Sequence, residues 1–162
     1  MKAELVPITD LTPDPANVRT HSSRNLEAVK ASLLKFGQQK PIVVSPSGVV
    51  IAGNATMQAA QALGWESIAV VRSELTGTEA IAYAIADNRT AELAEWGEDL
   101  GSVLQGMRDD PVVDHLSTGF TDEEIDELLE QVEPPLDFKE VDENIDCEHE
   151  CPKCHYKWSG GS

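Results

Sequence analysis

The sequence predicts an α/β fold of the α+β kind: a small mixed sheet with helices packed on it, a helical extension, and a metal-binding tail. Three observations predict it. Short β-branched runs alternate with helix-length segments up to about residue 90. Glycine and proline punctuate nearly every junction between them. All three cysteines, Cys147, Cys151 and Cys154, sit near the end of the chain and none in its body.

Residues 4–8, Glu-Leu-Val-Pro-Ile, read as a short edge strand, because proline cannot donate to a ladder. Residues 12–17 follow as a turn-rich loop with two prolines. A helix is expected near 24–36, with Ser22, Ser23 and Asn25 as candidate caps. Its apolar residues Leu26, Val29, Leu33 and Phe36 share one helical face, and Gly37 is placed to end it. Residues 41–44 and 49–52 read as strands joined by a Ser-Pro-Ser-Gly turn. Gly53 then leads into an alanine-rich helix from Ala55 to Leu63, and residues 68–71 form a further strand. Capping-box spacing recurs at Thr76–Glu79 and Thr121–Glu124, so helices are expected after both. The first runs through Ile81 and Ile85 toward Asn88; the second puts Ile125, Leu128, Leu129 and Val132 on one face. Helical character also falls around 100–107. Residues 133–146 are acidic, broken by Pro134 and Pro135 and poor in apolar side chains, so a flexible linker is expected there. The predicted organisation is a domain over 1–108, an acidic helical extension over 109–132, the linker over 133–146 and a tail over 147–162.

Charge divides the chain. Residues 1–72 hold seven Lys and Arg against five acids, whereas residues 109–162 hold three against seventeen, within a net charge of -17. An acidic half of that kind repels a phosphate backbone, since DNA affinity rests largely on Lys and Arg. DNA is therefore expected to bind only weakly or through a partner, and a basic protein is the partner such a surface suits. Aromatic residues make up 5% of the chain, which leaves little surface for stacking on nucleic acid. No run approaches the roughly 18 apolar residues of a membrane span, and residues 1–7 show no signal pattern. A soluble cytoplasmic protein that does not engage membranes is expected.

The strand–Gly53–Asn54–helix junction carries the strongest local signal. A glycine lets the backbone approach a ligand, and the free N–H groups of the first turn attract an anion. Asn54 and Thr56 add donors. Taken alone, the plainer explanation is a turn glycine and an ordinary N-cap. Two more polar clusters bear on the choice. Asn17 and Arg19 lie in a loop after two prolines, and Asp87-Asn88-Arg89 lies toward a helix end. An Asp–Asn pair offers oxygen ligands for Mg²⁺, and either arginine can grip a phosphate. The plainer reading of Asp87 and Arg89 is a local salt bridge.

The order of these motifs resembles a known family. Residues 11–19 (Leu-Thr-Pro-Asp-Pro-Ala-Asn-Val-Arg), then 36–44 (Phe-Gly-Gln-Gln-Lys-Pro-Ile-Val-Val), then 50–60 around Gly53, then 85–89 (Ile-Ala-Asp-Asn-Arg) succeed one another as in the N-terminal domain of the partition protein ParB, in the ParB/sulfiredoxin superfamily. The likeness covers roughly residues 4–130 and looks closest to stand-alone "ParB-like nuclease" domains of phages and mobile elements, often found with DNA methyltransferases. It implies a CTP or ATP site at Asn17, Arg19, Gly53, Asn54, Ala55, Thr56 and Arg89, with Mg²⁺ at Asp87 and Asn88. Two departures matter. CTP-hydrolysing ParB proteins carry arginines in the glycine-led motif, where this chain has Ala55-Thr56-Met57, and sulfiredoxins place a reactive cysteine in this loop, where it has Asn54. No helix-turn-helix pattern follows these motifs, so sequence-specific DNA binding of the partition type is not expected.

The tail contains Cys151-Pro152-Lys153-Cys154, which resembles one knuckle of a zinc ribbon. A structural Zn²⁺ is expected, held by Cys147, Cys151, Cys154 and one of His149 and His155 or shared between two chains; the alternative is a tail that is a disordered remnant. His155 stands where ribbon knuckles usually have glycine.

Three functional readings stay open. The first is a nucleotide-binding domain of phage or mobile-element DNA metabolism, accessory to DNA modification or partition. The second is an enzyme of the same fold, an NTP hydrolase, phosphotransferase or nuclease, with Glu92 or Glu95 as general-base candidates. The third is an acidic interaction or DNA-mimic module without nucleotide. A homodimer is compatible with each.

Overall fold

A computed structural model describes residues 2–15, 17, 19–108, 110–113, 115–130 and 149–158. The chain divides into two compact units, Met1–Gln131 and Val132–Ser162.

The first unit is built on a five-stranded mixed sheet. Its strands are β1 (Ala3–Pro7), β2 (Thr12–Pro13), β3 (Ile42–Val44), β4 (Val49–Ala52) and β5 (Ser67–Arg72), in the spatial order β1-β5-β3-β4-β2. β1 pairs antiparallel with β5, β5 parallel with β3, β3 antiparallel with β4, and β4 parallel with β2. The proline-bearing strand β1 lies at an edge, as its sequence requires. The opposite edge, β2, was read as loop. Pro13 hides it from sequence patterning, yet the Thr12 amide still donates to the Gly48 carbonyl at 3.0 Å.

Period-two alternation sends Ile42 and Val44 of β3, Val50 of β4 and Ile68 and Val70 of β5 into one core. Against them pack Leu33 of α1 (Ser23–Phe36) and Met57, Ala59 and Ala60 of α2 (Asn54–Ala62). Met57, Val44, Val50 and Ala60 are wholly buried. On β4 Ile51 is buried as well, although alternation sends it to the other face. There α3 (Gly77–Glu92) packs against that strand. α3 itself buries no residue fully, and Ile81 and Ile85 stay exposed. On α1, Leu33 is buried and Leu26 and Val29 are half-buried, while Phe36 emerges at the end of the face.

Helix ends follow local chemistry with one exception. Ser22 caps α1, its Oγ accepting from the Asn25 amide at 3.1 Å. Thr121 and Glu124 form a reciprocal capping box at the start of α5 (Asp122–Glu130): Glu124 N donates to Thr121 Oγ1 and Thr121 N to Glu124 Oε2. The equally spaced Thr76–Glu79 pair does not close, because Thr76 makes no side-chain cap bond. α4 (Leu100–Arg108) packs on α5, and the 3₁₀ turn at His115–Thr118 packs on α1. Ile125 anchors α5 with no exposed surface. The described part of the 109–132 stretch therefore belongs to the same compact unit as residues 1–108.

Val132, the 133–146 linker and Cys147 lie outside the described residues. The second unit is described only as a hairpin of β6 (His149–Glu150) and β7 (Lys157–Trp158).

Candidate functional site

Among the hollows bordered by the described residues, three open where the sheet hands over to α2 and α3. The largest, about 590 Å³, is lined by Arg19, Thr20, His21, Ser22, Asn25, Ala55 and Asn88. A second of about 250 Å³ shares Arg19 and Asn88 with it and adds Ile85, Arg89 and Glu92. A third of about 140 Å³ lies among Lys40, Pro41, Ile42, Val43, Ala52, Gly53, Thr56 and Asp87. The first turns of two helices, α1 through Ser22 and Asn25 and α2 through Ala55, border the largest hollow. The opening N–H groups of a helix have no intrahelical partner and carry partial positive charge, so two such starts favour an anion between them.

Arg19 enters this place through an Asx-type turn. Asn17 Oδ1 accepts from the Arg19 amide at 3.1 Å, and Asn17 Nδ2 donates to the Arg19 carbonyl at 3.0 Å. Asn17 thus holds the arginine's backbone and lines none of the three hollows. The Arg19 guanidinium reaches Glu92 Oε1 at 2.5 Å, and Arg89 Nη1 reaches Glu92 Oε2 at 3.4 Å. Both pairs are partly exposed. The Arg19 hydrogen bond and charge, with Arg89 behind them, hold the Glu92 carboxyl below its ordinary value. A carboxylate so neutralised is a weak general base. Glu95 is exposed and lines none of the three hollows.

The glycine-led junction is governed by packing. Gly53 has φ 95° and ψ 25°, in the left-handed region. A Cβ there would stand 2.4 Å from Ile42 Cγ2 and 2.9 Å from Ile42 Cβ. Only glycine lets α2 start this close to β3. Asn54, expected at a phosphate, turns inward: it is buried, its Nδ2 donates to the Val50 carbonyl at 3.2 Å, and its Oδ1 accepts from the Asp14 amide at 3.4 Å. It ties β4 to the loop after β2. Of the Ala55-Thr56-Met57 stretch, where the resemblance leads one to expect arginines, Met57 is a core residue, whereas Ala55 lines the largest of the three hollows and Thr56 the smallest.

Asp87 and Asn88 line different hollows. Neighbours on a helix point about 100° apart, and Asn88 lines the two larger hollows while Asp87 lines the smallest, with Thr56 and Lys40. Asn88 Nδ2 donates back to the Ala84 carbonyl at 2.7 Å. The Asp87 side chain makes no hydrogen bond or ion pair among the described residues. With burial as the larger cause, its charge raises the pKa of Tyr83. One carboxylate suffices for Mg²⁺ held chiefly by phosphates. Asp87 fits that role; Asn88, facing another hollow, does not complete a chelate with it.

Sequence reasoning missed Thr20, His21 and Lys40 as site residues and read Ser22 and Asn25 only as caps. Their adjacency to Arg19 was a usable signal for the first two. Lys40 reaches the site by tertiary packing alone.

In the tail, Cys151 and Cys154 are free thiols, and no group of three or more His, Cys, Asp or Glu converges among the described residues. His155 Nδ1 lies 2.8 Å from Glu150 Oε1, and His149 lies against Trp158 with ring centroids 5.5 Å apart.

The strand order and the polar hollow at two helix starts define a small α/β domain with an anion-friendly pocket. Residues 2–89 match the family model of the ParB N-terminal domain, and the chain belongs to that family. It is 32% identical over 65 residues to the ParB-like nuclease domain-containing protein YnaK of Escherichia coli (strain K12), a stretch covering 40% of this chain and 75% of that protein. Among solved structures, the C-terminally truncated chromosome-partitioning protein ParB from Caulobacter crescentus, complexed with CTP-gamma-S, matches with a TM-score of 0.66 at 19% identity, over 80% of this chain and 77% of that one. The shared fold thus reaches beyond the family match, which stops at Arg89. Sulfiredoxin from Arabidopsis thaliana matches at a TM-score of 0.44 and 18% identity, over 52% of this chain and 98% of that one. No helix among the described residues is long and apolar enough to cross a membrane.

Proposed function

We propose that the first unit binds a nucleoside triphosphate, CTP or ATP, and serves as a nucleotide-dependent accessory in phage or mobile-element DNA metabolism. One observation carries the reading: two arginines from elements seventy residues apart, Arg19 and Arg89, meet on a single carboxylate, Glu92, beside a hollow bordered by two helix starts. Two cations sharing one anion leave positive charge for a second. In this reading the phosphates compete with Glu92 for the arginines, the α1 and α2 first turns supply N–H donors, and Asp87 with Thr56 meets the metal. Mg²⁺, when bound, screens the phosphate charges. The Caulobacter ParB complexed with CTP-gamma-S gives the same fold a nucleotide precedent.

The test is thermal stability of the full chain with CTP, ATP, GTP and UTP in Mg²⁺, beside Arg19→Ala and Arg89→Ala. Asn54→Ala is a poor probe, because its buried bonds make it a stability variant. A ligand that binds only the folded state adds about 2.7 kcal/mol at a hundred times its dissociation constant. One nucleotide should raise the transition, and both arginine variants should lose the effect. No shift with any of the four at millimolar concentration defeats the reading.

A further inference from the structure

Trp96 stands on the surface of the first unit in the connection between α3 and α4. It is 74% exposed, whereas Trp65, the other tryptophan of that unit, packs against the core. The indole meets the half-buried Phe120 edge to face, with ring centroids 5.8 Å apart and planes at 70°. That contact holds the ring in place without covering it. Leu93, at the end of α3, is 63% exposed and lies no more than about 11 Å from Trp96 between Cα atoms, the reach of three residues. Leucine, tryptophan and phenylalanine thus make an exposed apolar corner, and patches of this kind mark interaction sites.

Charge says what fits there. From Thr90 to Met107 the chain carries four acids, Glu92, Glu95, Glu98 and Asp99, and no Lys, Arg or His. Glu92 is taken by Arg19 and Arg89, and Glu4, Glu124 and Asp126 of the same unit likewise meet arginines. Glu95, Glu98 and Asp99 are exposed and make no ion pair among the described residues. A rim of one sign attracts cations and repels phosphates and acidic proteins. The face of an indole attracts the same sign, because the ring quadrupole is negative there and arginine or lysine can lie on it. A nucleic-acid backbone is disfavoured on both counts, and a cationic side chain finds two attractions in one place.

We propose that the corner formed by Leu93, Trp96 and Phe120, rimmed by Glu95, Glu98 and Asp99, docks a basic segment of a partner protein in which arginine or lysine alternates with apolar residues. One cation of the segment lies on the Trp96 ring, the others face the acids, and the apolar residues cover Leu93 and the free side of the aromatic pair. Tryptophan is the anchor that supplies affinity, and the acids set the sign of the partner and its rate of encounter. None of these six residues lines the three hollows, so the surface stands apart from the nucleotide reading.

The test is fluorescence anisotropy of a dye-labelled peptide alternating arginine and leucine, titrated with the full chain at physiological salt. Two comparison peptides carry serine in place of leucine, or glutamate in place of arginine. The Arg/Leu peptide should bind at least about tenfold more tightly than either, and Trp96→Ala should bring it down to the Arg/Ser level. That variant leaves every acid in place, so it separates this surface from the bulk charge of -17. Glu95→Gln/Glu98→Gln should weaken binding and flatten its salt dependence with the ring intact. Trp96→Phe keeps an aromatic contact for Phe120 and should retain most of the affinity, which guards against a loss of fold in the alanine variant. Undiminished binding by Trp96→Ala, equal binding of either comparison peptide, or no binding of the Arg/Leu peptide overturns the inference.

Discussion

Gly53 offers a test of whether packing or ligand chemistry demands the glycine at the head of α2. Gly53→Ala adds one methyl at a φ of 95°, 2.4 Å from Ile42 Cγ2 and 2.9 Å from Ile42 Cβ. A left-handed non-glycine residue costs roughly 1–2 kcal/mol. Forcing an extra carbon into a packed core costs roughly 1–3 kcal/mol. The alanine also restricts the unfolded chain, which offsets about 0.4–1 kcal/mol. The expected loss is therefore about 2–4 kcal/mol. Ile42 is 3% exposed, so Ile42→Ala alone should cost about 2–5 kcal/mol through its cavity. It also removes Cγ2, the worse of the two contacts. In that background Gly53→Ala should cost at least about 1 kcal/mol less than in the parent, a coupling that urea denaturation followed by circular dichroism resolves. A single-variant loss below about 1 kcal/mol, or two costs that add within about 0.5 kcal/mol, would refute the packing account. The glycine would then be explained by close approach of a ligand's phosphates to the backbone.

Two further predictions concern the charged groups. Glu92→Gln removes the anion that occupies Arg19 and Arg89, so the affinity of a triphosphate should rise roughly two- to fivefold, the scale of an exposed ion pair no longer broken on binding. Isothermal titration beside the parent reads it, and a fall in affinity would mean that Glu92 positions the arginines instead of competing for them. Glu124 is held below its ordinary 4.5, first by the hydrogen bond from Arg24 and then by the Thr121 amide. A lowered carboxyl contributes stability that is fully present above about 4.5 and is lost as pH falls through the lowered value. The advantage of the parent over Glu124→Gln in urea should be full at pH 7 and shrink as the solution is acidified below the ordinary carboxylate range, and an advantage that does not shrink with acid would contradict the pairing.

Much of the scaffold was legible because its causes are local. The spacing Leu26, Val29, Leu33 follows a helical face, Ser22 caps it, and the β-branched runs at 42–44 and 68–71 lie in strands. Pro7 put β1 at an edge. Identical spacing at Thr76 and Thr121 nonetheless gave one capping box and one open end, because the second box is held from outside by Arg24 on α1. The short strand β2 was invisible for the same kind of reason: two residues carry no period, and only the presence of β4 makes them a strand.

The sequence by itself determined most of the helices and the strands β1, β3, β4 and β5, that the chain carries a ParB-type succession of motifs, and that its cysteines cluster within eight residues of one another. These follow from period, from glycine and proline dihedrals and from residue order, all properties of neighbours along the chain. Only the tertiary structure decided which way each polar side chain spends its bonds. It turned Asn54 inward to Val50 and Asp14, sent Asp87 and Asn88 to different hollows, gave Gly53 to Ile42, and brought Arg19 and Arg89 to the same carboxylate. The physical reason is that a side chain's partner is set by distance in space, and contacts such as Arg19 to Glu92 span a separation that no local pattern encodes.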